Sequence, residues 1–88
     1  MSSWFIYIVR CSDQSLYTGI TTDLSRRVKE HNEKKHGAKY TRLRRPVQLV
    51  WFQECDNRSE ASQKEYAVKK LDKKKKEELV FLQKRFER

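Results

Sequence analysis

The stretch WFIYIVRCSDQSLYTGI, Trp4 to Ile20, constrains the fold more than any other part of the chain. Two runs rich in Trp, Phe, Ile, Tyr and Val, residues that suit a pleated and half-buried surface, flank Ser12, Asp13, Gln14 and Ser15, which suit a turn. The pattern predicts two short strands, about Phe5 to Arg10 and Leu16 to Ile20, paired as a hairpin. Tyr7 and Tyr17 fall one on each strand, and Gly19 closes the second. Loop length decides whether the two phenols share a face. A two-residue loop at Asp13-Gln14 sets Tyr17 opposite Arg10 and puts the tyrosines on opposite faces. A three- or five-residue loop puts them on the same face, and one such register sets Gly19 opposite Tyr7, leaving room for a substrate backbone. The odd loop is the expected one.

After the hairpin, Thr21, Thr22 and Asp23 offer N-cap oxygens to a helix with Leu24, Val28 and His31 on one face. That helix should fade near Lys35, with Gly37 as its terminator. His36 to Pro46, HGAKYTRLRRP, is basic and has no period, so it reads as a loop in which His36 is solvated. Val47 to Glu54 reads as a third strand. Asn57 or Ser59 caps a second helix through about Leu71, with a stripe of Ala61, Val68 and Leu71 and with Ala67 alongside. Asp72 caps a third helix that would hold Leu79, Leu82 and Phe86 against the core, with Phe81 nearby. Lys73 to Lys76 in its first turn oppose the helix dipole, which points to a late start or to a surface selected for charge. The order β-β-α-β-α-α predicts an α+β fold: a small three-stranded antiparallel sheet flanked by three helices.

At 88 residues the chain is expected to form one domain, 1–88, hiding only roughly 60–65% of its unfolded surface. Trp4, Phe5, Trp51, Phe52, Phe81 and Phe86 are the expected core anchors. A net charge of +9 implies a polyanionic partner, nucleic acid before membrane. No apolar run approaches the ~18 residues of a spanning helix, and because Met1-Ser2-Ser3 leads straight into an expected strand, no signal peptide is expected. Cys11 and Cys55 are expected as reduced, partly buried thiols in a cytoplasmic protein. Structural zinc is not expected, because ligand pairs at CxxC or HxxxH spacing are missing.

Single residues admit two readings each. Glu65 sits inside the apolar stripe of its helix: it either pairs with Lys69 one turn on or meets another partner, such as a divalent metal. Arg27 borders the buried face of the first helix, where it is either solvated or fixed well enough to grip a phosphate. Tyr7 and Tyr17 taken singly are ordinary core aromatics, and His31 alone is a packed helix histidine.

Taken together these residues resemble the GIY-YIG nuclease superfamily. Phe5-Ile6-Tyr7 stands in the place of GIY, and Tyr17-Thr18-Gly19 stands for YIG ten residues later. Arg27 follows in SRRVKEH and Glu65 in EYAVKKL. The likeness spans nearly the whole chain and is nearest to small stand-alone bacterial members reading YTGITTDL. Phe5 in place of the first glycine and Thr18 in place of the isoleucine are departures that also occur in this branch.

The resemblance implies a metal-dependent endonuclease hydrolysing DNA phosphodiester bonds, with branched or nicked structures among the substrates to expect. Glu65 would bind one Mg²⁺ (or Mn²⁺) and Arg27 would stabilise phosphoryl charge. Tyr7 would orient or deprotonate water with Tyr17 positioning it, or the reverse, and His31 would bond to the phosphate or a tyrosine hydroxyl. Gly19, Lys39, Tyr40, Arg42 and Arg45 would meet the nucleic acid, Tyr40 stacking on an unpaired base. With no separate DNA-binding domain, either specificity is weak or a protein partner supplies targeting. The alternatives are a nucleic-acid-binding module with a degenerate site and a protein adaptor.

Overall fold

The structure is a computed structural model that describes residues 3–33 and 37–86, with side chains as far as Lys84. The hairpin forms from β1 (Trp4–Arg10) and β2 (Leu16–Thr21), which run antiparallel with Tyr7 opposite Gly19 and Arg10 opposite Leu16. Cys11 to Ser15 therefore make a five-residue loop. Gln14 takes a positive φ of 71°, and Asp13 accepts the Ser15 N–H at 3.0 Å, which turns the chain locally. β3 (Gln48–Cys55) joins the other side of β1, so the sheet order is β2-β1-β3, all antiparallel.

Alternation along β1 divides the core into two. Ile6 and Ile8 point to one face, where they meet Trp51, Cys55, Ala61, Val68 and Val80. Tyr7 and Val9 point to the other, with Cys11, Val47, Leu49 and Phe52. A register shift opposite Ile8 and Val9 leaves Val50 as an extra residue on β3. That bulge turns Trp51 and Leu49, two residues apart, to opposite faces.

The helices start where local hydrogen bonding predicts. Asp23 caps α1 (Leu24–Asn32) by accepting the Arg26 N–H at 3.0 Å. Asn57 rather than Ser59 caps α2 (Arg58–Lys69), accepting the Glu60 N–H at 2.8 Å. Asp72 accepts the Lys75 N–H at 2.9 Å and starts α3 (Lys73–Phe86). Lys73 to Lys76 do occupy its first turn, against the dipole. α1 ends at Asn32, short of the expected fade near Lys35, with the Glu33 N–H bonding back to the Glu30 carbonyl at 3.1 Å. Lys35 itself and the loop reading of His36 fall outside the described residues, as does the side chain of Phe86. Gly37 lies against the end of α1, where an added Cβ would come 3.0 Å from the Glu30 carbonyl. Its role is close approach, without a positive φ.

α3 presents a different face from the expected one. Phe81 is 64% exposed and Leu82 48%, while Val80 is buried and Leu79 packs beside it. Gln83 instead reaches β3, accepting the Phe52 N–H at 2.9 Å and donating to the Phe52 carbonyl at 2.6 Å. The side-chain amide thus satisfies backbone groups on an edge strand that would otherwise be open. A two-bond Arg10–Glu77 pair, at 2.7 and 2.6 Å, ties the end of β1 to the same helix. Ala67 is exposed too, so α2 seats Ala61 and Val68 only.

Candidate active site

The site grows from the second face of the sheet. Gly19 has Tyr7 directly across the ladder, and an added Cβ would come 2.5 Å from the phenol oxygen and 2.8 Å from Cζ. The room over Gly19, expected to admit a substrate, is filled by the Tyr7 ring. The missing side chain of Gly19 lets that ring pack against β2.

Tyr7 is 1% exposed and its hydroxyl is 2.8 Å from His31 Nε2. His31 comes from the last turn of α1, wholly buried, and the edges of the Tyr7 and Tyr17 rings meet it with centroids 5.9 and 5.3 Å away. Tyr17 is half-buried, on the same face as Tyr7, as the five-residue loop requires. Arg27, one turn before His31 on α1, donates to Glu30 Oε1 at 2.9 Å, and its charge is felt at the Tyr7 hydroxyl.

Charge and burial set the protonation of this group. Burial pushes the Tyr7 phenol up to about 12; Arg27 opposes the rise, while Tyr17 and Glu65 add to it. Burial likewise brings His31 down to about 4, helped by the Arg27 charge and offset in part by Glu30. At neutral pH the imidazole is uncharged and has one lone-pair nitrogen to offer. Burial works against the Arg27 cation, but Glu30 and Tyr7 outweigh it and the guanidinium is held more firmly charged.

Glu65 stands on α2, near enough for its charge to be felt at Tyr7. The expected pair with Lys69 is present at 3.3 Å, and the Glu65 side chain is a quarter exposed. Among the described residues no three His, Cys, Asp or Glu side chains gather to hold a metal.

The basic segment before β3 is a run of hydrogen-bonded turns: Thr41 N–H to Ala38, Arg42 N–H to Lys39 and Arg44 N–H to Thr41. It is pinned back at Asn32, whose side chain exchanges two hydrogen bonds with Val47. Lys39 and Arg42 face solvent, and Arg45 is half-buried with Nε donating to the Arg42 carbonyl. The Tyr40 ring is already engaged: Tyr17 stacks on it at 5.7 Å and the Arg44 guanidinium sits 4.1 Å from its centroid. Tyr40 is nonetheless 38% exposed. The residue that sequence reasoning missed is Thr41. It is fully buried, with its hydroxyl 2.9 Å from His31 Nδ1. A threonine in a basic loop carries no sequence signal of that.

A groove of about 430 Å³ lies elsewhere, between β3 and α3, lined by Arg10, Leu49, Val50, Glu77, Val80 and Phe81. None of the site residues borders it. No helix of the described residues is long and apolar enough to cross a membrane.

Residues 3–78 match the model of the GIY-YIG catalytic domain. A UPF0213 protein of Desulfotalea psychrophila is 56% identical over 89% of this chain and 71% of its own length. The UPF0213 protein YazA of Bacillus subtilis is 53% identical over 83% of this chain and 73% of its own. Among solved structures, the solution NMR structure of a UPF0213 protein from Bacillus halodurans superposes with a TM-score of 0.58 at 49% identity, covering 91% of this chain and 84% of that one. An E. faecalis protein solved by NMR gives 0.62 at 42%, over 93% and 86%. With the β-β-α-β-α-α order, the Tyr7–Gly19 pairing and these matches together, the chain belongs to the GIY-YIG family, a nuclease family, in its small stand-alone UPF0213 branch.

Proposed function

We propose that this protein is a metal-dependent endonuclease that hydrolyses phosphodiester bonds in DNA, with branched or nicked structures as its substrates. The observation that carries the reading is the meeting of Tyr7, Tyr17, Arg27 and His31 on one face of the sheet, with the Glu65 charge felt at the Tyr7 hydroxyl.

Glu65 suits Mg²⁺ (or Mn²⁺) held by one carboxylate, with water and substrate phosphate completing the shell, and does not suit a cation caged by protein. Bound there, the cation would supply Lewis-acid stabilisation to the scissile phosphate and the leaving oxygen. Arg27 offers its guanidinium to charge developing on the phosphoryl oxygens. Tyr7 rather than Tyr17 takes a proton from the attacking water, because Tyr7 has a neutral acceptor, His31 Nε2, for the hydrogen it gives up. With its phenol near 12, only roughly one Tyr7 in 10⁵ is ionised at pH 7, so the transfer runs through the intact hydroxyl. Lys39, Arg42 and Arg45 grip the phosphate backbone and carry no base code. Selectivity then comes from substrate shape or from a targeting partner. Residues 1–88 act as one domain, and the two unbridged cysteines, Cys11 and Cys55, support a cytoplasmic setting.

The Glu65–Lys69 pair favours one other reading, a nucleic-acid-binding module without turnover. A panel of flap, fork, junction and single-stranded DNA with Mg²⁺ or Mn²⁺ separates the two. Wild type should cut at least one substrate, and Glu65→Gln and Arg27→Ala should lose cleavage while keeping most binding. Binding that falls with salt by about 0.9 log units per phosphate contact, with no product at any metal concentration, would establish the module instead.

A further inference from the structure

Thr41 has one hydroxyl hydrogen and two neighbours that compete for it. Its oxygen lies 2.9 Å from His31 Nδ1 and 3.0 Å from the Ala38 carbonyl. If the hydrogen goes to Ala38, the Thr41 oxygen can only accept from the ring, and the imidazole hydrogen must sit on Nδ1. Nε2 is then a bare lone pair, 2.8 Å from the Tyr7 hydroxyl.

The other end of the network agrees. The Arg27 cation whose charge reaches the Tyr7 hydroxyl cannot accept a hydrogen, and His31 Nε2 is the acceptor at hydrogen-bond distance for it. The opposite tautomer would aim the imidazole N–H at that oxygen and deprive a buried hydroxyl hydrogen of this acceptor. One contact pulls the other way: the Ala38 N–H is 3.5 Å from Nδ1 and needs a lone pair there. It is the longest bond in the network and is outweighed by the shorter Thr41 contact and the Tyr7 hydrogen.

We infer that Thr41 is a positioning residue that holds His31 in the Nδ1–H tautomer, leaving Nε2 as the acceptor for the Tyr7 hydroxyl. The direction of donation runs Tyr7 to His31 to Thr41 to the Ala38 carbonyl. It also joins the proton-handling pair to the middle of the basic segment that carries Lys39 and Arg42. The catalytic consequence rests on the reading of Tyr7 as the group that handles a proton; the tautomer itself does not.

Ring ¹⁵N NMR of the full chain at pH 7 tests it, with His31 assigned through a His36→Gln variant, since the chain has two histidines. Wild type should show a protonated Nδ1 and a pyridine-type Nε2. Thr41→Val, which keeps the shape and removes the hydroxyl, should move the hydrogen toward Nε2, and Thr41→Ser should restore it. The valine variant should also lose cleavage about tenfold or more with KM little changed, as misdirected imidazoles do elsewhere, and the serine variant should recover it. A wild-type ring protonated at Nε2, or a valine spectrum like wild type, overturns the inference. If Thr41→Val does not fold, the wild-type and serine spectra decide. DNA cut normally by a protein with the wrong tautomer sinks this inference and spares the nuclease reading; the expected tautomer in a protein that cuts nothing does the reverse.

Discussion

The two faces of one three-stranded sheet have been put to different uses. On the side of α2 and α3, Ile6, Ile8, Trp51, Ala61, Val68 and Val80 make a dry, apolar core. On the side of α1, the same strand offers Tyr7 between Ile6 and Ile8, and burial there encloses a phenol, an imidazole and a threonine hydroxyl bonded in series. Apolar packing tolerates small shifts at modest cost, whereas a buried polar series holds its geometry because every missed bond leaves a desolvated group. One face supplies stability and the other sets protons, although their residues alternate along a single strand.

The largest expected effect sharpens that contrast. Tyr7→Phe should reduce cleavage by about 10²- to 10⁴-fold while lowering stability by only about 1 kcal/mol. Ile8→Ala, its neighbour on the other face, should do the opposite: about 2–5 kcal/mol of stability lost in denaturant titration, with the surviving folded protein still active.

The polar face should also reveal itself through pH. Folded His31 titrates near 4 and an unfolded histidine near 6.5, so the unfolded chain binds the extra proton first as the pH falls. The stabilisation is full above 6.5 and is lost between 6.5 and 4, to the extent of roughly 3 kcal/mol. Unfolding free energies of wild type and His31→Gln across that window should differ in slope; parallel curves would mean an imidazole freely hydrated in the fold.

Gly19→Ala tests the contact between β2 and the phenol. Its Cβ would press on the Tyr7 oxygen and Cζ, so a loss of about 1–3 kcal/mol is expected, together with reduced cleavage from a displaced hydroxyl. A fully active, equally stable variant would show that the ring is free to move. The smallest effect belongs to the apolar face. Thr18 is buried with its hydroxyl unpartnered, so Thr18→Val should raise the melting midpoint by the equivalent of about 1 kcal/mol without changing cleavage.

Much of this was legible where causes are local. The caps at Asp23, Asn57 and Asp72 act over three residues, and the hairpin itself is bounded by its turn residues, while its loop length was an expectation that the register bears out. The phase of α3 was not legible: Phe81 and Leu82 are as apolar as Leu79 and Val80, and only the surface offered by β3 chooses between them. Nor were the bonds of Thr41 to His31, Asn32 to Val47 and Gln83 to Phe52, which join residues 10, 15 and 31 positions apart.

By itself the sequence determined the order of elements, a hairpin with one phenol on each strand, and the positive charge that calls for a polyanion, because period, turn residues and charge are properties of short segments. Only the tertiary structure decided that Tyr7 fills the space over Gly19, that Tyr40 is already stacked, and that His31 is flanked by two hydroxyls. Those are outcomes of several elements closing on one volume, and which groups exclude water there depends on all of them at once.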